Sequence, residues 1–262
     1  MSPTIRLTVV QPEIRWCQLE ENLRHLENLL EKAGDADLIV LPEMFATGFI
    51  FDDLATMAGG DRVQQWMQDT ARAHGAAVMG SVAVRENDRW YNRLLLVEPN
   101  GKVQQYDKRH LFVKSPEPIF FKRGEQPVVF EYQGWRICPQ VCYDLRFPLW
   151  SRNTYADGRF RYDILVYVAN WPAARSEHWN ALLKARAIEN QAYVVAANCV
   201  GHDPQNLAYV GDSQVLDFQG VSVQTAPPGQ ECLLSVMLTQ ESLQRYRQTF
   251  LVWQDWDHPV GL

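Results

Sequence analysis

Three segments of the chain end a strand-like apolar run on a residue able to do acid–base, nucleophilic or electrostatic work. In WRICPQVCYDLRFP the run closes at Cys142 and passes at once into polar, turn-forming residues. A strand-to-helix elbow presents a nucleophile this way, above a sheet edge and beside free backbone N–H groups. A cysteine attacks as its thiolate, so Cys142 needs a base or cation nearby; without one it is a small buried hydrophobe. In LIVLPE, Glu43 follows an apolar run directly, where α/β sheets present ligand-binding groups. The alternative for a single acid is a solvated loop position. In YDKRH, Lys108 follows a third run and could stabilise a developing oxyanion, or lie on the surface as an ordinary cation. Glu117 sits among Pro and Phe in SPEPIFFKRG, company that perturbs a carboxyl pKa if buried and leaves it alone if the loop is exposed.

Other chemistries lack their signals. Cys138 precedes Cys142 by four residues, which period two places on one strand face. The spacing is not C-x-x-C and no second Cys/His pair follows, so no metal centre is expected. The six histidines show no ligand spacing. His110 and His178 are the two that could partner a thiol; a supporting residue and a place in the first turn of a helix suit them better. No G-x-G-x-x-G, G-x-x-x-x-G-K-[ST] or G-x-S-x-G occurs, which removes the best signals for nucleotide binding and serine hydrolysis.

The elements that must position these residues alternate strand and helix. Ile5–Val10, Asp37–Leu41, Val78–Val84, Trp90–Val97, Val103–Tyr106, Val128–Tyr132, Arg136–Val141 and Ile164–Ala169 read as strands, as do Tyr193–Asn198, Asp212–Asp217 and Cys232–Leu238. Helical spacing appears over Gln18–Lys32, Arg62–Ala73, a segment beginning at Ser176 as N-cap, and Gln240–Arg247. The Pro99-Asn100-Gly101 and Gln133-Gly134 turns imply hairpins, so the sheets are expected to be mixed. With 262 residues and no linker, repeat or composition break, residues 1–262 read as one α/β domain. The tail 250–262 carries Trp253 and Trp256 and is expected to dock on the body or on a partner subunit. A 47% apolar fraction excludes a disordered chain, and a net charge of −6 without a Lys/Arg run argues against nucleic acid. No apolar run is long enough to span a membrane, and the start MSPTIRLTVVQPEIRW is too weakly apolar for a signal peptide. Five scattered cysteines make no disulfide framework, so a soluble, reduced, cytoplasmic protein is expected.

Taken in order, LPEMFATGF, YDKRHLF and CYDLRFP resemble the nitrilase (carbon–nitrogen hydrolase) superfamily. The similarity extends from LTVVQP to Gly211-Asp212-Ser213. The resemblance implies a four-layer α-β-β-α sandwich of two mixed sheets and a triad of Glu43, Lys108 and Cys142. It implies a second active-site glutamate at Glu117, no metal or organic cofactor, and commonly a homodimer. CYDLRFP, YVANWP and WQDW look most similar to the bacterial ω-amidase branch, whose members hydrolyse 2-oxoglutaramate to 2-oxoglutarate and ammonia. On that footing Glu43 is the proton acceptor, and Lys108 with the backbone N–H of Tyr143 holds the oxyanion. Arg146 and Arg175 are candidates for a substrate carboxylate, with a structural ion pair as the alternative for each. Phe45, Phe121 and Trp171 would wall the pocket or pack in the core. Hydrolysis of a nitrile or N-carbamoyl compound by the same triad, or a non-catalytic interaction platform, are the competing expectations; the intact triad weighs against the last.

Overall fold

The computed structural model describes residues 3–59 and 61–257. The first half supplies β1 (Thr4–Gln11), α1 (Leu19–Leu30), β2 (Leu38–Val40), α2 (Leu54–Ala58), α3 (Asp61–His74), β3 (Ala77–Glu86), β4 (Arg89–Val97), β5 (Val103–Asp107) and the one-turn α4 (Glu117–Phe120). Next come β6 (Phe130–Tyr132), β7 (Trp135–Val141), β8 (Tyr155–Ala156), β9 (Arg159–Phe160), β10 (Ile164–Val168), α5 (Ser176–Asn190) and β11 (Tyr193–Ala197). The chain continues through β12 (Val200–His202), β13 (Ala208–Val210), β14 (Gln214–Leu216), β15 (Ser222–Thr225), β16 (Cys232–Thr239) and α6 (Gln240–Thr249).

Two six-stranded sheets result, ordered β16-β1-β2-β3-β4-β5 and β6-β7-β10-β11-β14-β15. Crossing either sheet in that direction, neighbours pair antiparallel, parallel, parallel, antiparallel, antiparallel. Period two sorts the side chains into layers. Ile5, Leu7 and Val9 of β1 meet Ile164, Val166 and Val168 of β10 in the core between the sheets. The alternate residues point outward: Val10 and Ile39 pack against Leu23, Leu26, Trp66 and Met67 of α1 and α3, and Leu165 and Tyr167 against Trp179 and Leu183 of α5. The expected four-layer sandwich of two mixed sheets is therefore the observed architecture.

Some expectations shift. Helix α5 starts at Ser176, with Arg175 at the cap position and no side-chain cap, because the turn Ala173–Arg175 already aims the chain into it. The strand expected over Asp212–Asp217 is shorter, Gln214–Leu216, since Asp212 takes a left-handed φ of 57° that a strand does not allow. Of the tail, residues 258–262 lie outside the described residues. Before them Trp253 packs tilted against Tyr155 with ring centroids 4.2 Å apart, and Arg152 lies over the Trp256 ring. Among the described residues, no helix is long and apolar enough to cross a membrane.

Candidate active site

Topology brings the reactive residues to one place. Strands β2 and β3 are parallel, and β5 reaches the same direction through two antiparallel steps, so Glu43 and Lys108 both emerge at the carboxyl edge of the first sheet. Cys142 emerges at the carboxyl end of β7 in the second sheet. It lies past the strand, in the short 3-10 turn Cys142–Arg146, with φ 46°. That left-handed backbone, costly for a residue with a Cβ, is how a sharp elbow lifts its side chain off the sheet edge. Cys138 instead points to the face covered by α5, where burial pushes its thiol up to about 11.

Glu43 and Lys108 are each 1% exposed and Glu117 is 2%, so their charges must be met by one another. Lys108 Nζ donates to Glu43 Oε1 at 2.8 Å and to Glu117 Oε1 and Oε2 at 2.8 and 3.0 Å. Glu117 is therefore a buried ion-pair partner in the first turn of α4, not a loop acid. Burial alone would lower the Lys108 pKa, but attraction to Glu117 and then Glu43 outweighs it and holds the ammonium above its ordinary value. The Glu117 carboxyl is raised, by burial first and by the like charge of Glu43, with Lys108 opposing. The Cys142 thiol is raised well above 9.0, by burial and by Glu43, with Lys108 again opposing. At neutral pH the cysteine thus rests as a thiol and requires a base during reaction.

Glu43 is held from three sides. Its Oε1 accepts from Lys108 Nζ and from Asn92 Nδ2, both at 2.8 Å, and its Oε2 accepts from Asn170 N at 3.0 Å. Oε1 has both lone-pair directions filled, which leaves Oε2 as the atom with room for a proton. Sequence reasoning passed over both asparagines. Asn170 follows the apolar run Ile164–Val168, the same strand-end signal that marked Glu43; Asn92 lies within β4 and carries no local signal.

Glu43, Lys108, Glu117, Cys142 and Asn170 line a cavity of about 620 Å³ walled by Phe49, Phe51, Phe112, Trp171 and Tyr209. Trp171 is on the wall as expected. Phe45 is not: after the left-handed Met44 (φ 45°) it turns back behind the first sheet, seated on Gly80 and against Trp66. Phe121 packs edge-on to Phe51, among core residues and off the cavity wall. Arg146 and Arg175 both reach the cavity. The first lies over the Trp171 ring and 3.1 Å from His178 Nδ1, the second over Phe112; among the described residues neither pairs with a carboxylate. His110 sits to one side, stacked on Phe147.

The arrangement supplies a thiol, a carboxylate that can take its proton, and fixed positive charge for an oxyanion: the parts of an acyl transfer from nitrogen. Known proteins match the chain along almost its whole length. Residues 6–248 match the model of the carbon–nitrogen hydrolase family. The omega-amidase YafV of Escherichia coli is 46% identical over 97% of this chain and 98% of its own. A 2-oxoglutaramate amidase of Bacillus subtilis is 37% identical over 82% and 83%. The crystal structure of XC1258 from Xanthomonas campestris, a CN-hydrolase superfamily protein with an arsenic adduct in its active site, superposes with a TM-score of 0.94 at 39% identity, covering 98% of this chain and 99% of that one. Sequence, fold and site converge: the chain belongs to the carbon–nitrogen hydrolase family.

Proposed function

We propose that the protein is an ω-amidase, hydrolysing 2-oxoglutaramate, or a similarly short 2-oxo dicarboxylic monoamide, to the 2-oxo acid and ammonia. Glu43 Oε2 takes the Cys142 proton as sulfur attacks the amide carbonyl carbon. The carbonyl oxygen becomes an oxyanion between Lys108 Nζ and the N–H of Tyr143, a second-position N–H that a short helix leaves without an internal acceptor. One such donor is worth about 3 kcal/mol. The tetrahedral intermediate collapses by breaking the C–N bond, and Glu43 gives its proton to the departing ammonia. Water, losing a proton to the same carboxylate, then adds to the thioester and expels the Cys142 sulfur, which is reprotonated. Glu117 holds Lys108 in place throughout. Every proton and electron pair has its donor and acceptor in protein, substrate or water, so no cofactor enters.

One observation carries the choice of substrate: two guanidinium groups that pair with no carboxylate among the described residues face the cavity that holds Cys142. In a chain of net charge −6, an anionic substrate must be drawn by local cations and not by the overall field. The relatives named for 2-oxoglutaramate and ω-amide hydrolysis agree in chemistry. Ammonia release from 2-oxoglutaramate and from butyramide, measured for wild type, Arg146→Met and Arg175→Met, tests the reading. Wild type should strongly prefer the acid, and loss of the arginine that grips the carboxylate should cost about 2–4 kcal/mol in kcat/KM for that substrate alone. Equal rates on both substrates in all three proteins overturn carboxylate recognition. We also take the enzyme to work in the cytoplasm as a homodimer, a mass that light scattering would read directly.

A further inference from the structure

Lys108 and Cys142 come from different sheets, so the distance between cation and nucleophile is not set by any strand pairing. What joins their loops is a carboxylate with no catalytic part in the scheme above. Asp144 is fully buried, two residues beyond Cys142. Its Oδ2 accepts from Val141 N at 3.0 Å and from the hydroxyl of Tyr106 at 2.7 Å. Its Oδ1 accepts from His110 N at 2.9 Å and lies 2.8 Å from His110 Nδ1. Tyr106 and His110 stand two residues before and two residues after Lys108, and Val141 immediately precedes Cys142. One side chain thus grips the Lys108 segment on both flanks and the elbow at its base.

The surroundings fit a fixed clamp. Tyr106 OH accepts in turn from Trp150 Nε1 at 2.9 Å, and His110 stacks on Phe147 with ring centroids 3.8 Å apart. From behind, Arg186 Nη2 donates to the carbonyl of Leu145, the residue after Asp144. Each Asp144 oxygen accepts one backbone N–H, Val141 on one side and His110 on the other. An amide in its place has one oxygen and one NH₂, so either orientation sets a donor against a backbone donor and orphans it.

We propose that Asp144 is a positioning residue, which holds the Cys142 elbow in its left-handed conformation and at working distance from Lys108. This rests on the amidase reading of the site for its kinetic test but not for its chemical one. Asp144→Asn should lower kcat on 2-oxoglutaramate at least 100-fold while KM changes less than threefold, since Asp144 itself does not line the cavity. Alkylation of Cys142 by iodoacetamide, followed by mass spectrometry, should slow at least tenfold in the folded variant. That readout needs no amide substrate, so it separates a failure of this proposal from a failure of the substrate assignment. Tyr106→Phe removes one of the four donors and keeps the carboxylate; it should retain the fold and lose about tenfold in both kcat and alkylation rate, and it decides the matter if Asp144→Asn does not fold. Loss of activity in proportion to loss of folded protein, with normal alkylation of the folded fraction, would mean a purely structural role. So would kcat within threefold of wild type in either variant.

Discussion

At Cys142 the requirement for reactivity and the preference of the backbone pull in opposite directions. Its φ of 46° suits glycine, and a Cβ there costs about 1 kcal/mol or more. The chain keeps the cysteine because an extended residue would leave the sulfur in the sheet, away from Glu43 and Lys108. Strain of this kind gives a measurable stability difference unrelated to side-chain contacts. Cys142→Gly and Cys142→Ala should both be inactive, yet the glycine variant should be the more stable by about 1 kcal/mol in urea denaturation. If alanine proved equal or better, the elbow would be unstrained and its geometry would need another explanation. The lysine shows the complementary case. A buried ammonium is tolerated only because two buried carboxylates surround it, so the charge that serves an oxyanion is also what allows the three groups to be buried together.

At the scale of elements, the end of β5 is fixed by a close approach. Gly124 N donates to the Lys108 carbonyl at 2.9 Å, and a Cβ at Gly124 would overlap the carbonyl of Asp107, one residue before Lys108. Only a glycine lets the segment after α4 run this close to the strand that presents the lysine. Gly124→Ala should therefore push Lys108 out of register with Glu43 and Glu117. The expected cost is about 1–3 kcal/mol of stability, with more than a tenfold loss of kcat in the protein that still folds. Thermal melting and steady-state rates on the same sample check it; unchanged values for both would show that the strand end can yield without consequence.

For the whole molecule, the same burial that shapes the site makes stability depend on alkaline pH. Burial raises Cys138, Cys142 and Cys199 from 9.0 and Tyr106, Tyr162 and Tyr167 from 10.0, and Lys108 is raised from 10.5 by Glu117 and Glu43 against its own burial. Above each ordinary value the unfolded chain gives up a proton that the folded chain keeps, so stability falls as pH rises. Arg247, lowered to about 10 by burial, acts the other way, but it is one group against seven. Stability contributed by these seven is fully present below pH 9 and is lost progressively above it. The melting temperature should drop on the order of 10 °C between pH 8 and pH 10.5. A flat or rising profile over that interval would contradict the burial of these groups.

Local pattern determined where strands end, and therefore which residues stand at sheet edges. The apolar runs before Glu43, Lys108 and Cys142 are legible because period two and a turn residue are properties of neighbours in sequence. The helices of the outer layers follow for the same reason. That two sheets stack, and that Glu117 from a loop-like stretch meets Lys108, depended on contacts between distant segments, which no local period encodes. Within the sequence the sheet stacking came only through the family resemblance. Phe45 and Phe121 show the limit most plainly. Each is apolar and near a reactive residue, but one left-handed residue at Met44 and the packing around Phe51 send them away from the cavity, leaving Phe49, Phe51 and Phe112 as the phenylalanines on its wall beside Trp171 and Tyr209. A side chain's direction after a turn is decided by a single backbone angle and by what already fills the space, and both are settled only when the sandwich has closed.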